Sequence, residues 1–241
     1  MRALRVLLIV AVVLGVLFVV ADRVAVRYAQ GRAADELRST ENLASTPDVT
    51  IKGFPFLTQL AGDKLDDVEV GIRGYEADTG DGGQKIRIDD LEADLKGVRF
   101  SGDYSSATAA TATGTATVSY AELLKAAKAR PTQVLPGVTT QVVGLSDGGN
   151  GKIKVAVKVS VLPTPISVLS SVAVDGDKVR VKADGLPTLA GLALAENRMR
   201  SITDFQQAID RLPGGIRLDS VRAAKNGVEI KVKGSDVRLE G

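Results

Sequence analysis

Apolar and polar residues alternate through most of the chain after about residue 47, and the places where the alternation breaks set the architecture. Val68, Val70 and Ile72 alternate with Asp67, Glu69, Gly71 and Arg73, the two-residue period of a strand with one buried face. Asp78 to Gly83 supplies a turn, and Ile86 and Ile88 begin the next strand. Past Asp89 and Asp90 the apolar set becomes Leu91, Ala93 and Leu95. That change of parity predicts a bulge, and bulges curve a sheet. Thr111, Thr113, Thr115 and Thr117 alternate with Ala or Gly, which predicts a strand with one thin face. Either a helix packs closely on that face or it leaves room for acyl chains. Ser119-Tyr120-Ala121-Glu122 reads as a capping box opening a short helix that stops before Pro131. Strands are expected over Val138 to Leu145 and Lys152 to Val161, the second with Ile153, Val155, Val157, Val159 and Val161 on one face and Lys152, Lys154, Lys158 and Ser160 on the other. The lysine row either keeps the sheet soluble or meets anionic headgroups. A hairpin through Val172-Val174 and Val179-Val181 and strands at 216–223 and 227–233 complete the β pattern.

Helical periodicity is confined to fewer stretches. Val6 to Ala21 is an unbroken apolar run behind Met1-Arg2-Ala3-Leu4-Arg5 and ahead of Asp22-Arg23. It is shorter than the roughly 20 residues that span a bilayer comfortably and longer than a typical signal core, so residues 1–21 read as a signal peptide or a signal anchor. In both cases the leading arginines favour a cytoplasmic N-terminus and place residues 22–241 outside. From Asp22 to about Asn42 the pattern stays helical, with Val24, Tyr28, Ala34 and Leu37 near one face. A second amphipathic helix is expected near 196–212, with Met199, Ile202, Phe205, Ile209 and Leu212 on its stripe and Pro213-Gly214-Gly215 at its end.

The sharpest break is Gly53-Phe54-Pro55-Phe56-Leu57-Thr58-Gln59-Leu60, where a short strand (Val49, Ile51) runs into an apolar corner. Glycine permits backbone that other residues avoid and proline supplies no N–H, so the strand cannot continue through it. A weaker copy, Gly185-Leu186-Pro187-Thr188-Leu189, follows Val181 and Ala183. Beyond each corner, Ile86–Ala93 with Gly97-Val98 matches Ile216–Ala223 with Gly227-Val228 without a gap. These matches suggest pseudo-repeated halves, about 47–130 and 131–241, within one domain spanning 22–241.

Composition narrows the chemistry. Thirty-one basic and 29 acidic residues give a net charge of +2, too even for a nucleic-acid binder. The chain has no Cys and no His. Disulfides, thiolate or imidazole metal sites, and Ser-His-Asp or Cys-His catalysis are thereby excluded. A carboxylate-based hydrolase would have to draw on residues such as Asp66, Asp67, Asp89 and Asp90, which sit where solvated faces are the default. A non-enzyme without cofactor or metal is the expectation.

The Gly53–Leu60 corner, the following Asp66-Asp67-Val68-Glu69-Val70, Ser119-Tyr120-Ala121-Glu122-Leu123, and Leu212-Pro213-Gly214-Gly215-Ile216 with the Gly227-Val228 hairpin resemble the LmeA-like phospholipid-binding family. The likeness covers nearly everything after residue 22. It implies an exported protein of bacterial cell envelopes that carry lipoglycans, one that binds phospholipids, phosphatidylinositol types among them, and supports lipoglycan biosynthesis. An envelope glycosyltransferase would be a fitting partner. The resemblance also implies an α+β fold similar to tubular lipid-binding domains, in which a strongly curved antiparallel β-sheet wraps a long N-terminal helix.

Together these readings give a lipid-binding domain at the outer face of the plasma membrane, or secreted into the envelope if residues 1–21 are removed. The candidate acyl-chain lining is Phe54, Phe56, Leu57 and Leu60 from the first corner, Leu186 and Leu189 from its copy, and Met199, Ile202 and Phe205 from the expected helix. The alternative is a membrane-anchored interaction domain with a dry core, which recruits an envelope enzyme through the exposed corner.

Overall fold

The computed structural model describes residues 2–78, 85–102, 106–126, 131–176, 178–185, 205–208 and 215–240. It is an α+β protein with a long N-terminal helix, antiparallel sheets, one of them strongly curled, and three helices among the described residues.

Helix α1 (Arg2–Thr40) runs without a break from the apolar segment into the folded domain. Residues of the apolar run, such as Leu7, Leu14 and Val20, stand exposed, whereas Asp22, Val26 and Ala34 are buried. Ala25 and Ala29 pack beside Val26. The helix therefore docks on a narrow stripe of small residues, which lets its backbone approach the sheet closely. This corrects the expected face: Val24 and Tyr28 point away from the domain and are exposed.

Among the described residues, twelve strands form two six-stranded sheets. The first sheet has the order β1 (Asp48–Lys52), β2 (Lys64–Asp78), β3 (Lys85–Phe100), β4 (Ser106–Ser119), β12 (Gly227–Glu240) and β11 (Ile216–Ala224). The second has β10 (Phe205–Ala208), β9 (Lys178–Ala183), β8 (Ile166–Asp175), β7 (Lys152–Val159), β6 (Val138–Asp147) and β5 (Thr132–Leu135). The chain's last hairpin thus returns to the first sheet. The blocks matched in sequence take different forms, since Ile86–Val98 lies within β3 while Ile216–Val228 spans β11, a turn and the start of β12.

The helix expected near 196–212 is corrected where the structure describes it. Residues Phe205–Ala208 form β10 and pair antiparallel with β9, Phe205 opposite Val181. An open strand edge offers backbone partners that override a helical side-chain period. The rest of that segment lies outside the described residues, apart from Gly215. Half of the expected capping box is present: the Glu122 N–H donates to Ser119 Oγ at 3.4 Å at the start of helix α3 (Tyr120–Ala126), while the Glu122 carboxylate accepts from Lys125 at 2.6 Å.

Two lines of irregularity cross the first sheet. Leu65, Val98, Ala109 and Val237 are paired neighbours on four strands, and all four are buried in the first core. The next residues facing that core are Val68, Leu95 and Ala112, three positions along rather than two. Asp66, Gly97, Ala110 and Asp236 fall out of the pairing at that line, yet the register on either side is unchanged. Gly97 and Asp236 take positive φ there, 61° and 52°. A crease of this kind flips every strand together and lets both sides of the fold face the same core. Gly74 (φ 65°) and Asp89 make a similar break between β2 and β3. The parity change seen at Asp89-Asp90 is thus a matched break in two strands, in place of the expected bulge.

The first core joins α1, the Gly53–Leu60 corner and this creased end of the sheet. A second core lies between the sheets, where Val221, Ala223 and Val228 meet Ile153, Val155 and Val157 around Tyr120. The Tyr120 hydroxyl donates to the Ala224 carbonyl at 2.8 Å. Burial, then the charge of Asp147, pushes that phenol's pKa up.

Candidate lipid-binding site

The corner is built from residues with separate tasks. Gly53 has φ 94°, and a Cβ there would come within 2.5 Å of Gln59 Nε2. The Phe54–Pro55 peptide is cis, and helix α2 (Phe56–Ala61) starts immediately after it. Phe56 is buried in the first core, while Leu57 and Leu60 pack half-buried against it. Gln59, also buried, accepts the Asp66 N–H at 2.8 Å and donates to the Lys52 carbonyl at 3.5 Å. One side chain therefore ties the strands on both sides of the corner to the helix between them.

Helix α2 has no side-chain cap of its own, because Pro55 precedes it. Asp22 of α1 supplies one. Its Oδ1 accepts the Leu57 N–H at 2.9 Å and its Oδ2 accepts from Arg23 at 2.8 Å. Burial alone would push this carboxyl up, but the amides of Leu57 and Phe56 and the Arg23 charge outweigh it and hold the pKa below the ordinary value. The Arg23 guanidinium also lies over the Phe54 ring, 5.0 Å from its centroid. Phe54 itself is 56% exposed.

Along the face that carries the first core, the strands continue in register past Val68 and Leu95. The next row is Val70, Ala93, Gly114 and Val232, and the one after it Ile72, Leu91, Ala116 and Ile230. All eight are half-buried. Ile230 already belongs to the surroundings of the second core. An apolar strip thus joins the two cores across the middle of the sheet. Its centre is kept low by Ala93, Gly114 and Ala116, and a Cβ on Gly114 would meet Val232 Cγ2 at 2.8 Å.

The opposite face is polar. A cleft of about 470 Å³ in this part of the sheet is walled by Asp48, Thr50, Glu69, Arg73, Glu92 and Asp94 together with strip residues Val70, Ile72, Leu91 and Ala93. Asp67, Glu69 and Asp94 offer carboxylate oxygens within 4.8 Å of one another, the set that could hold a metal ion. Lys52 already bonds Glu69, and this contact raises the lysine pKa. Lys96 lies 4.0 Å from Asp94. The two lysines offset part of this negative charge, while one oxygen each of Asp67 and Asp94 is buried without a hydrogen-bond partner among the described residues.

The expected lining residues are placed unevenly. Phe54, Phe56, Leu57 and Leu60 come together at the corner, with Phe56 inside and Phe54 outside. Leu186, Leu189, Met199 and Ile202 lie outside the described residues, and Phe205 sits in β10. Sequence reasoning missed Asp22 and Gln59. Asp22 did carry a signal, being a lone carboxylate at the end of an apolar run whose local helix gives it no partner but Arg23.

These features define a class: an α+β protein that carries a half-buried apolar strip on a curled sheet and is headed by a helix long and apolar enough to cross a membrane, as an anchor or a signal sequence does. The family model described as LmeA-like phospholipid-binding matches residues 20–233, and the chain belongs to that family. No curated protein and no solved structure matches the chain.

Proposed function

We propose that the chain holds a phospholipid against its first sheet, the acyl chains lying along Val70, Ile72, Leu91 and Ala93 between the two cores. The observation that supports this most is the continuity of that half-buried strip in a member of a phospholipid-binding family. Covering it with lipid methylenes would contribute about 0.8 kcal/mol each. Leu57 and Leu60 share the first core with Val68 and Leu95 and stand at one end of the proposed lining, to which Leu186, Leu189, Met199 and Ile202 would add. The reading is non-enzymatic, and the domain stands at the outer face of the plasma membrane, following the charge order around the apolar run. Support of envelope lipoglycan biosynthesis, with a glycosyltransferase as protein partner, is the wider role that the family resemblance suggests.

The test uses the two faces of one strand. A photo-crosslinking residue at position 91 of the full chain, in membranes, should attach to phospholipid, and the same residue at Glu92 should not. Equal labelling at both positions, or none at position 91, would overturn the reading.

A further inference from the structure

We infer that the Gly53–Phe56 corner is a membrane-contact tip: Phe54, with Arg23 beneath its ring, sits in the headgroup layer of the bilayer that holds Val6–Ala21. The inference rests on the reading that this run stays in the membrane, and it adds how the domain is oriented there. Three observations carry it. First, α1 is one helix through Ala21 and Asp22, so no linker separates the run from the domain. Second, Asp22 is fully buried and holds the start of α2 at 2.9 Å. With a rise of about 1.5 Å per residue, that contact fixes the corner about one residue beyond the end of the run. Headgroup layers are roughly 5–7 Å thick on each side of the hydrocarbon, so the corner falls inside one. Third, the side chains exposed at this level suit that layer: Phe54 and Val24 with Arg23, apolar and aromatic surface beside a cation.

The length of the run adds a pull in the same direction. Val6 to Ala21 spans about 24 Å as a helix against roughly 30 Å of hydrocarbon. A short span draws its flanking residues toward the core, with Arg23 extending its charge back to the phosphates. Phe54 would move inward with it. The exposure of Phe54, which packing inside the domain does not account for, then has a cause.

The chain contains no Trp, so single tryptophans report position cleanly. Full chains carrying Leu14→Trp, Phe54→Trp or Val161→Trp would be placed in vesicles of phosphatidylcholine and phosphatidylglycerol, with bromine either near the headgroup or deep in the acyl chain. Leu14→Trp should be quenched by deep bromine. Phe54→Trp should be quenched more strongly by shallow than by deep bromine and emit to the blue of Val161→Trp, whose residue is exposed in the turn after β7. Adding Asp22→Ala to Phe54→Trp should reduce the shallow quenching and leave Leu14→Trp unchanged. If Leu14→Trp is quenched while Phe54→Trp behaves like Val161→Trp, the tip is wrong and the anchor stands. If Leu14→Trp is not quenched, the anchored reading fails and the tip with it.

Discussion

Gly53 and Phe54 are neighbours with opposite expectations. At Gly53 any side chain meets Gln59 and a backbone with φ 94°. Gly53→Ala should therefore destabilise the folded chain by about 1–3 kcal/mol, read as a lower urea midpoint with unchanged slope. Phe54→Ala should stay within about 0.5 kcal/mol, as expected of an exposed position. Asp22 gives a pH signature. Its folded pKa is depressed, so the carboxylate contributes fully above the unfolded value, about 3.9, and that contribution is lost as pH falls through the folded pKa. The stability gap between the natural chain and Asp22→Ala should thus shrink on acidification below about pH 4, measured by unfolding in detergent micelles. A gap that stays constant or widens would remove Asp22 from the role given to it. Sequence alone did not disclose this residue, because its partner, Leu57, lies 35 positions away and the contact exists only once α1 docks.

At the level of elements, strands were legible and their grouping was not. A two-residue period survives any arrangement of strands, so β2, β7 and the β11–β12 hairpin could be read directly. Nothing local indicates that the β11–β12 hairpin returns so that β12 pairs with β4, or that the strands divide between two sheets. The helical stripe through Phe205 is the opposite case, since the strand seen at 205–208 pairs with β9, whose position the stripe could not encode. The creases are partly legible: parity changes mark them, but Gly97 and Asp236 act together only because the register brings their strands into one sheet. Gly97→Val would put a branched side chain at φ 61° and crowd Ala110, whose Cβ lies 3.0 Å from the added Cβ. We expect a loss of about 1–3 kcal/mol, with heat-induced unfolding at lower temperature. A second consequence is weaker lipid retention, because the curl that aligns the strip with the first core would relax.

The whole molecule reads as two cores joined by an apolar strip, with one end fixed to a helix that can cross a membrane. That arrangement links the family's lipid binding to the place where lipid is available: the first core meets the Asp22 latch, and the strip begins where this core ends. The most direct measurement is native mass spectrometry of the full chain purified from its own membrane fraction, with bound lipid extracted and identified. The account expects a stoichiometric phospholipid on the natural chain and its loss in Leu91→Asp, a variant that places a charge in the strip, with the folded mass otherwise retained. A natural chain that is lipid-free and takes up none from phosphatidylglycerol vesicles, or a Leu91→Asp chain that keeps its lipid, would contradict it.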